Sequence, residues 1–169
     1  MKPVVVLAMH GSPPNDFPRD ELTEFFGLHA QMEHTSGNTR KGLEKRYSEL
    51  NAKLRSWPRT AENDPFYAGS QKMASELERT SAYKVIVGYN EFCSPSLDEA
   101  IEEAVSRKPD KVIVITPMMT RGGEHSESDI QNAIKLSRMR HPEIEIIYAW
   151  PFELSEVANF LASQVNRFV

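Results

Sequence analysis

Two histidines and a glutamate, His10, Glu91 and His125, are the residues of this chain best placed to do chemistry. Each follows a short apolar run. Val4, Val5, Val6 and Leu7 lead to His10-Gly11-Ser12; Val85, Ile86 and Val87 lead through Gly88-Tyr89-Asn90 to Glu91; Val112, Ile113, Val114 and Ile115 lead through Pro117 to His125. Such runs are too short for helices and read as strands buried in a parallel sheet. Parallel strands would bring all three side chains to one carboxyl edge, where open α/β sheets hold their ligands. Two imidazoles and a carboxylate suit a borderline divalent ion such as iron, cobalt, nickel or zinc, and the same groups can move protons near neutral pH. Spacing alone does not show that the side chains meet, and a histidine at a strand end is otherwise a hydrogen-bonded turn residue.

The elements that must position these groups have clear signatures. Residues 111–130, KVIVITPMMTRGGEHSESDI, combine a strand, a loop whose Gly122-Gly123 pair permits backbone conformations closed to other residues, and a helix start. That helix is expected to begin at Ser128, with Gln131 completing a capping box, Asp129 complementing the helix dipole, and Ile130, Ala133, Ile134 and Ser137 facing inward. Ser96 and Glu99 form another capping box ahead of Leu97, Ala100, Ile101, Ala104 and Val105, and Asp64-Pro65 opens a helix carrying Phe66, Met73 and Leu77. Ile144, Ile146, Ile147 and Tyr148 predict a fourth strand, and Leu154, Val157, Ala158, Leu161 and Val165 a last amphipathic helix. The alternation implies an α/β fold, a parallel sheet with helices on both faces and right-handed crossovers.

Residues 13–64 interrupt that alternation immediately after His10. Residues 20–29 read as a short helix with Leu22, Phe25, Phe26 and Leu28, residues 35–40 as a loop, and Leu43, Tyr47, Leu50 and Leu54 as a second helix closed by Trp57-Pro58. This segment is too apolar for a solvated tail, so it is expected to form a largely helical cap over the edge that carries the histidines.

Composition narrows the possibilities. At 169 residues without internal repeats, the chain reads as one domain with a substantial core. A net charge of −4 without a basic run argues against nucleic acid as partner. No apolar run has the length to span a bilayer, residues 1–9 lack a signal-peptide cleavage site, and Cys93 is the only cysteine, so a cytoplasmic protein without membrane contact is expected. Cys93 has no evident thiolate-stabilising neighbour and reads as an inert buried thiol. His29 and His34, five residues apart, do not share a helical face, and His141 before Pro142 suits a helix end. TRGGEH matches no phosphate-loop pattern, Met118-Met119 reads as core, and the charges of residues 44–55 read as a solvated helix face.

An apolar strand into HGS, then GYNEFCSPSLDEAI, then PMMTRGGEHSESDI together resemble the small CbiX-type sirohydrochlorin chelatases, which are class II metal-ion chelatases. The resemblance spans residues 1–12 and about residue 67 onward, and the third block is its specific part. It implies a fold built from flavodoxin-like halves, of which this chain would be one, and ATP-independent insertion of cobalt, iron or nickel into sirohydrochlorin or its oxidised precursor. The divalent metal is then a substrate, and no organic cofactor is implied. His10 and His125 match the family's metal-handling histidines, and Glu91 resembles the acidic residue near the metal in related anaerobic cobaltochelatases. On this reading Gly11, Ser12, Gly122 and Gly123 would let a macrocycle approach the backbone, while Arg121 and Ser126 would meet its carboxylates. Larger relatives use two similar halves, so a homodimer is expected. The insertion departs from the short family pattern and bears on which tetrapyrrole is accepted. Two other classes fit the same residues: a carrier that binds a tetrapyrrole or metal without turnover, and a phosphoryl-transfer enzyme with His10 as nucleophile. The latter usually has Arg before its His-Gly, and Met9 stands there.

Overall fold

The computed structural model describes residues 2–169; Met1, the first residue of the 1–9 segment considered above, lies outside them. Four strands, β1 (Val4–Met9), β2 (Lys84–Tyr89), β3 (Lys111–Ile115) and β4 (Glu145–Tyr148), form one sheet in the order β2-β1-β3-β4, with every pairing parallel. This is the flavodoxin-like winding, and the chain changes direction between β1 and β3. Two helices, α1 (Arg19–Glu33) and α2 (Gly37–Arg55), precede α3 (Pro65–Ser81), and α4 (Leu97–Ser106), α5 (Ile130–Arg140) and α6 (Leu154–Val165) follow the later strands.

The strand period divides the core in two. Val4, Val6, Ala8, Ile86, Val112 and Val114 pack under α4 and α5, while Val5, Leu7, Met9, Val85 and Val87 pack with Ala74 of α3 on the other face. Burial on both faces explains the uninterrupted apolar runs of β1 and β2. Ile113 and Ile115 of β3 are only partly buried. The sheet meets α4 closely at Gly88, where an added Cβ would lie 2.7 Å from the Ala100 Cβ and 2.9 Å from the Leu97 Cα.

Several helical details differ from the sequence expectations. α1 is longer than residues 20–29, and α2 starts at Gly37, inside the stretch expected to be loop, where Arg40 pairs with Glu44 and donates to the Met32 carbonyl that ends α1. The inner side of α3 is Tyr67, Ser70, Ala74 and Leu77; Phe66 and Met73 are exposed, because small residues allow the closer approach to the sheet. The expected Ser128 cap does not form. The chain turns helical at His125, through one π-helical turn over His125–Asp129, and Ser128 lies inside it. The loop supplies the terminus instead: the Gly122 N–H donates to the Glu127 carboxylate at 2.8 Å and the Ser126 hydroxyl to the Gly123 carbonyl at 3.1 Å. α6 forms as expected but buries none of its residues, and Leu154, Leu161 and Val165 stay exposed.

Candidate metal centre

His10 and Glu91 are brought together by an extension of the β1–β2 ladder. Beyond the strands, the Asn90 N–H donates to the Met9 carbonyl and the Glu91 N–H to the His10 carbonyl, both at 2.9 Å. Gly11 permits this approach: its φ is +99°, and a Cβ there would sit 1.9 Å from the Glu91 carbonyl oxygen. The space above Gly11 is therefore filled by protein, not left open for a macrocycle as the sequence suggested. The His10 and Glu91 side chains meet with Nε2 3.8 Å from Oε2.

His125 arrives from β3, across the point where the winding reverses. Its imidazole stands edge-on to that of His10, with ring centroids 4.4 Å apart. One ligand atom from each of His10, Glu91 and His125 lies within 4.8 Å of the others, a spacing a single divalent ion can bridge after small side-chain movement. The three residues singled out by sequence thus converge. Their tautomers are also constrained. His10 Nδ1 is 2.8 Å from the Gly11 carbonyl, which can only accept, so Nδ1 carries the proton and Nε2 keeps a free lone pair. His125 Nδ1 is 2.7 Å from the Asp129 carboxylate, leaving its Nε2 free as well.

The remaining expected site residues divide. Gly122, with φ +86° and nothing within 4 Å of its Cβ position, and the exposed Gly123 form an open loop beside His125. Arg121 projects from that loop with its guanidinium 5.5 Å from the Trp150 ring. Ser126 does not face solvent. It is buried, its hydroxyl is taken by Gly123, and its carbonyl accepts from the Tyr148 hydroxyl at 3.0 Å, so it shapes the loop and is not a surface donor. Ser12 contributes its carbonyl to Arg59 and presents a side chain that is partly exposed.

Sequence reasoning expected residues 13–64 to lie over this edge but did not identify the residues that fasten them to it. Phe92, with a left-handed φ of 61°, inserts beside Phe25, Leu28, Leu50 and Leu54, and its ring lies 6.1 Å from that of His10. Arg55 donates to the carbonyls of Asn90 and Cys93, so it is not part of a solvated face; Arg46 and Lys53, from the same run, tie α2 to Glu24 and Glu21 of α1. Arg59 is almost wholly buried, paired with Asp64 at 2.5 Å, and donates to the carbonyls of Ser12, Leu54 and Phe92. No periodicity marks these two arginines. Cys93 is buried beside Asp64, and burial pushes its thiol pKa up, which keeps it protonated and unreactive as expected.

A model of the CbiX family matches residues 62–167. A sirohydrochlorin ferrochelatase of Priestia megaterium is 24% identical over 82 residues, which is 48% of this chain and 30% of that protein. A sirohydrochlorin cobaltochelatase of Methanopyrus kandleri is 30% identical over 67 residues, 39% of this chain and 46% of that protein. The matches thus span less than half the length of either relative. Among solved structures, the sirohydrochlorin chelatase SirB from Bacillus subtilis subspecies spizizenii, in complex with cobalt, aligns over 89% of this chain and 44% of that one, with TM-score 0.44 and 16% identity. A protein described as a cobalamin (vitamin B12) biosynthesis CbiX protein from Marinobacter aquaeolei VT8 aligns over 98% of both chains, with TM-score 0.49 and 14% identity.

The Arg59 network predicts a large cost for its removal. Arg59→Met leaves the Asp64 carboxylate buried without its cation and should lower the unfolding free energy by about 3–5 kcal/mol. Urea denaturation measures it, and a loss no larger than that of an exposed ion pair, under about 1 kcal/mol, would contradict the assignment.

Proposed function

Because the chain belongs to the CbiX family, we propose that it inserts a divalent metal, cobalt, iron or nickel, into sirohydrochlorin or a related tetrapyrrole, without ATP. The observation that carries this reading is the meeting of His10, Glu91 and His125 at the winding reversal, with one ligand atom of each within 4.8 Å of the others and His10 Nε2 3.8 Å from the Glu91 carboxylate. The names of the two relatives support the same chemistry.

Insertion exchanges two pyrrole N–H protons for one divalent ion. The metal must lose water, be held weakly enough to leave, and enter a ring whose nitrogens have been deprotonated. In this reading the Nε2 atoms of His10 and His125 hold the ion on one side of the ring, and Glu91 serves as a further ligand or accepts a pyrrole proton. As the ion passes to the ring, the imidazole lone pairs become free to accept protons, so the same groups serve both halves of the exchange. Gly122 and Gly123 give the ring an open approach beside His125, and Arg121 offers a cationic donor to its peripheral carboxylates. α1 and α2, anchored through Phe92 to the Glu91 loop, form a wall of the site within a single folding unit and bear on which ring is accepted.

The reading extends to a cytoplasmic homodimer. Its support is the uncovered apolar side of α6, where Leu154 is 81%, Leu161 55% and Val165 60% exposed, together with the partly buried Ile113 and Ile115 of β3. Apolar surfaces of this kind are commonly shared between subunits. Replacing Leu161 and Val165 by Glu should convert dimer to monomer in light scattering; a wild-type monomer at micromolar concentration would contradict it.

Activity provides the main test. With sirohydrochlorin and cobalt, the wild-type protein should accelerate the absorbance change of metal insertion, while His10→Ala and His125→Ala should each lower the rate by about 100-fold or more, in the range of lost acid–base and ligand roles. Both variants should keep the wild-type urea midpoint, since neither side chain is in the core. Tight tetrapyrrole binding without faster insertion would identify a carrier.

A further inference from the structure

The second nitrogen of His125 leads to a residue outside the trio. Asp129 Oδ2 lies 2.7 Å from His125 Nδ1, the charge-assisted distance, and both side chains belong to the single π-helical turn that begins α5. In that turn the Ile130 N–H bonds to the His125 carbonyl, five residues back, so the backbone is wider than in an α-helix at the point where the histidine must face the sheet edge. Among the described residues Asp129 forms its ion pair with His125, whereas neighbouring acidic groups are engaged elsewhere: Glu127 with Gly122 and Arg121, and Asp98 with Arg140. The general expectation that an acid at a helix start serves the dipole therefore does not describe its main contact.

We infer that Asp129 is a positioning residue: it fixes the Nδ1–H tautomer and ring orientation of His125, so that the Nε2 lone pair is presented to the metal. The inference rests on the proposed metal centre. The two histidines are then held by equivalent bonds from unlike sources, a backbone carbonyl for His10 and a carboxylate for His125. Asp129 also lines a cleft with Asn90 and Glu91.

Long-range proton–nitrogen spectra of the metal-free protein test the tautomer directly, without any variant. His125 should be protonated on Nδ1 and bare on Nε2. In Asp129→Ala this preference should be lost while that of His10 stays, because the Gly11 carbonyl is untouched. Calorimetric titration with cobalt should show affinity weakened by about 10- to 100-fold in Asp129→Ala, the usual effect of removing such a partner. A purely structural role would lower the urea midpoint and leave the tautomer unchanged. An Nε2–H His125 in the wild-type protein, or a tautomer and cobalt affinity indifferent to Asp129→Ala, would overturn the inference. His10→Ala is titrated in parallel: if it loses affinity while Asp129→Ala does not, only the role of Asp129 fails, and if His10→Ala also binds cobalt normally, the metal centre itself is wrong.

Discussion

The buried pair of Arg59 and Asp64 is the interaction on which the arrangement of the site depends. Side-chain exposures of 6% and 1% leave both charges almost without water, and a charge in that position must be paired and hydrogen-bonded. The guanidinium meets the requirement by holding four parts of the chain at once. It bonds the carboxylate that caps α3, the Leu54 carbonyl at the end of α2, the Ser12 carbonyl after His10 and the Phe92 carbonyl after Glu91. Displacing any one of these segments would strand a buried polar group. The loops that carry His10 and Glu91 are thereby tied to each other and to residues 13–64.

The other contacts work within that constraint. Gly11 lets the His10 and Glu91 backbones touch, and the ladder continues past the strands to set the spacing of the two side chains. Phe92 keeps a left-handed backbone that costs on the order of 1–3 kcal/mol for a residue with a Cβ. Burial of its ring among Phe25, Leu28, Leu50 and Leu54 offsets that cost, and a fully buried phenylalanine contributes about 1.5–3 kcal/mol. The aromatic cluster therefore does more than fill α1 and α2: it holds the residue after Glu91 in the conformation that aims the carboxylate at His10. On the opposite side of the site, His125 is held by the glycine loop, the π-helical turn, Asp129 and the Tyr148 hydroxyl bonded to the Ser126 carbonyl.

Much of this was legible in the sequence because it rests on local periodicity. Apolar β-branched runs marked all four strands, alternation with helices marked the parallel sheet, and placement after strand ends marked His10, Glu91 and His125. What was not legible rests on contacts between distant segments. Ser126 looked available until the turn of residues 122–127 buried it. Gly11 looked like room for a ligand, but the room is taken by Glu91. Arg55 and Arg59 sit in polar runs with no sign that their partners are carbonyls more than thirty residues away. Ser128 and Gln131 satisfied the pattern of a capping box, yet bonds within the loop of residues 122–127 started the helix three residues earlier. α6 has an apolar stripe that reads as inward-facing in sequence, and the sheet does not receive it.

The central claim is that His10, Glu91 and His125 together hold a divalent metal. A cobalt-soaked crystal, measured on both sides of the cobalt absorption edge, tests it without reference to turnover or substrate. The account predicts one strong anomalous peak within coordination distance of the two imidazoles, with the Glu91 carboxylate beside it. A strong peak elsewhere on the chain, with density at this site unchanged, would contradict it.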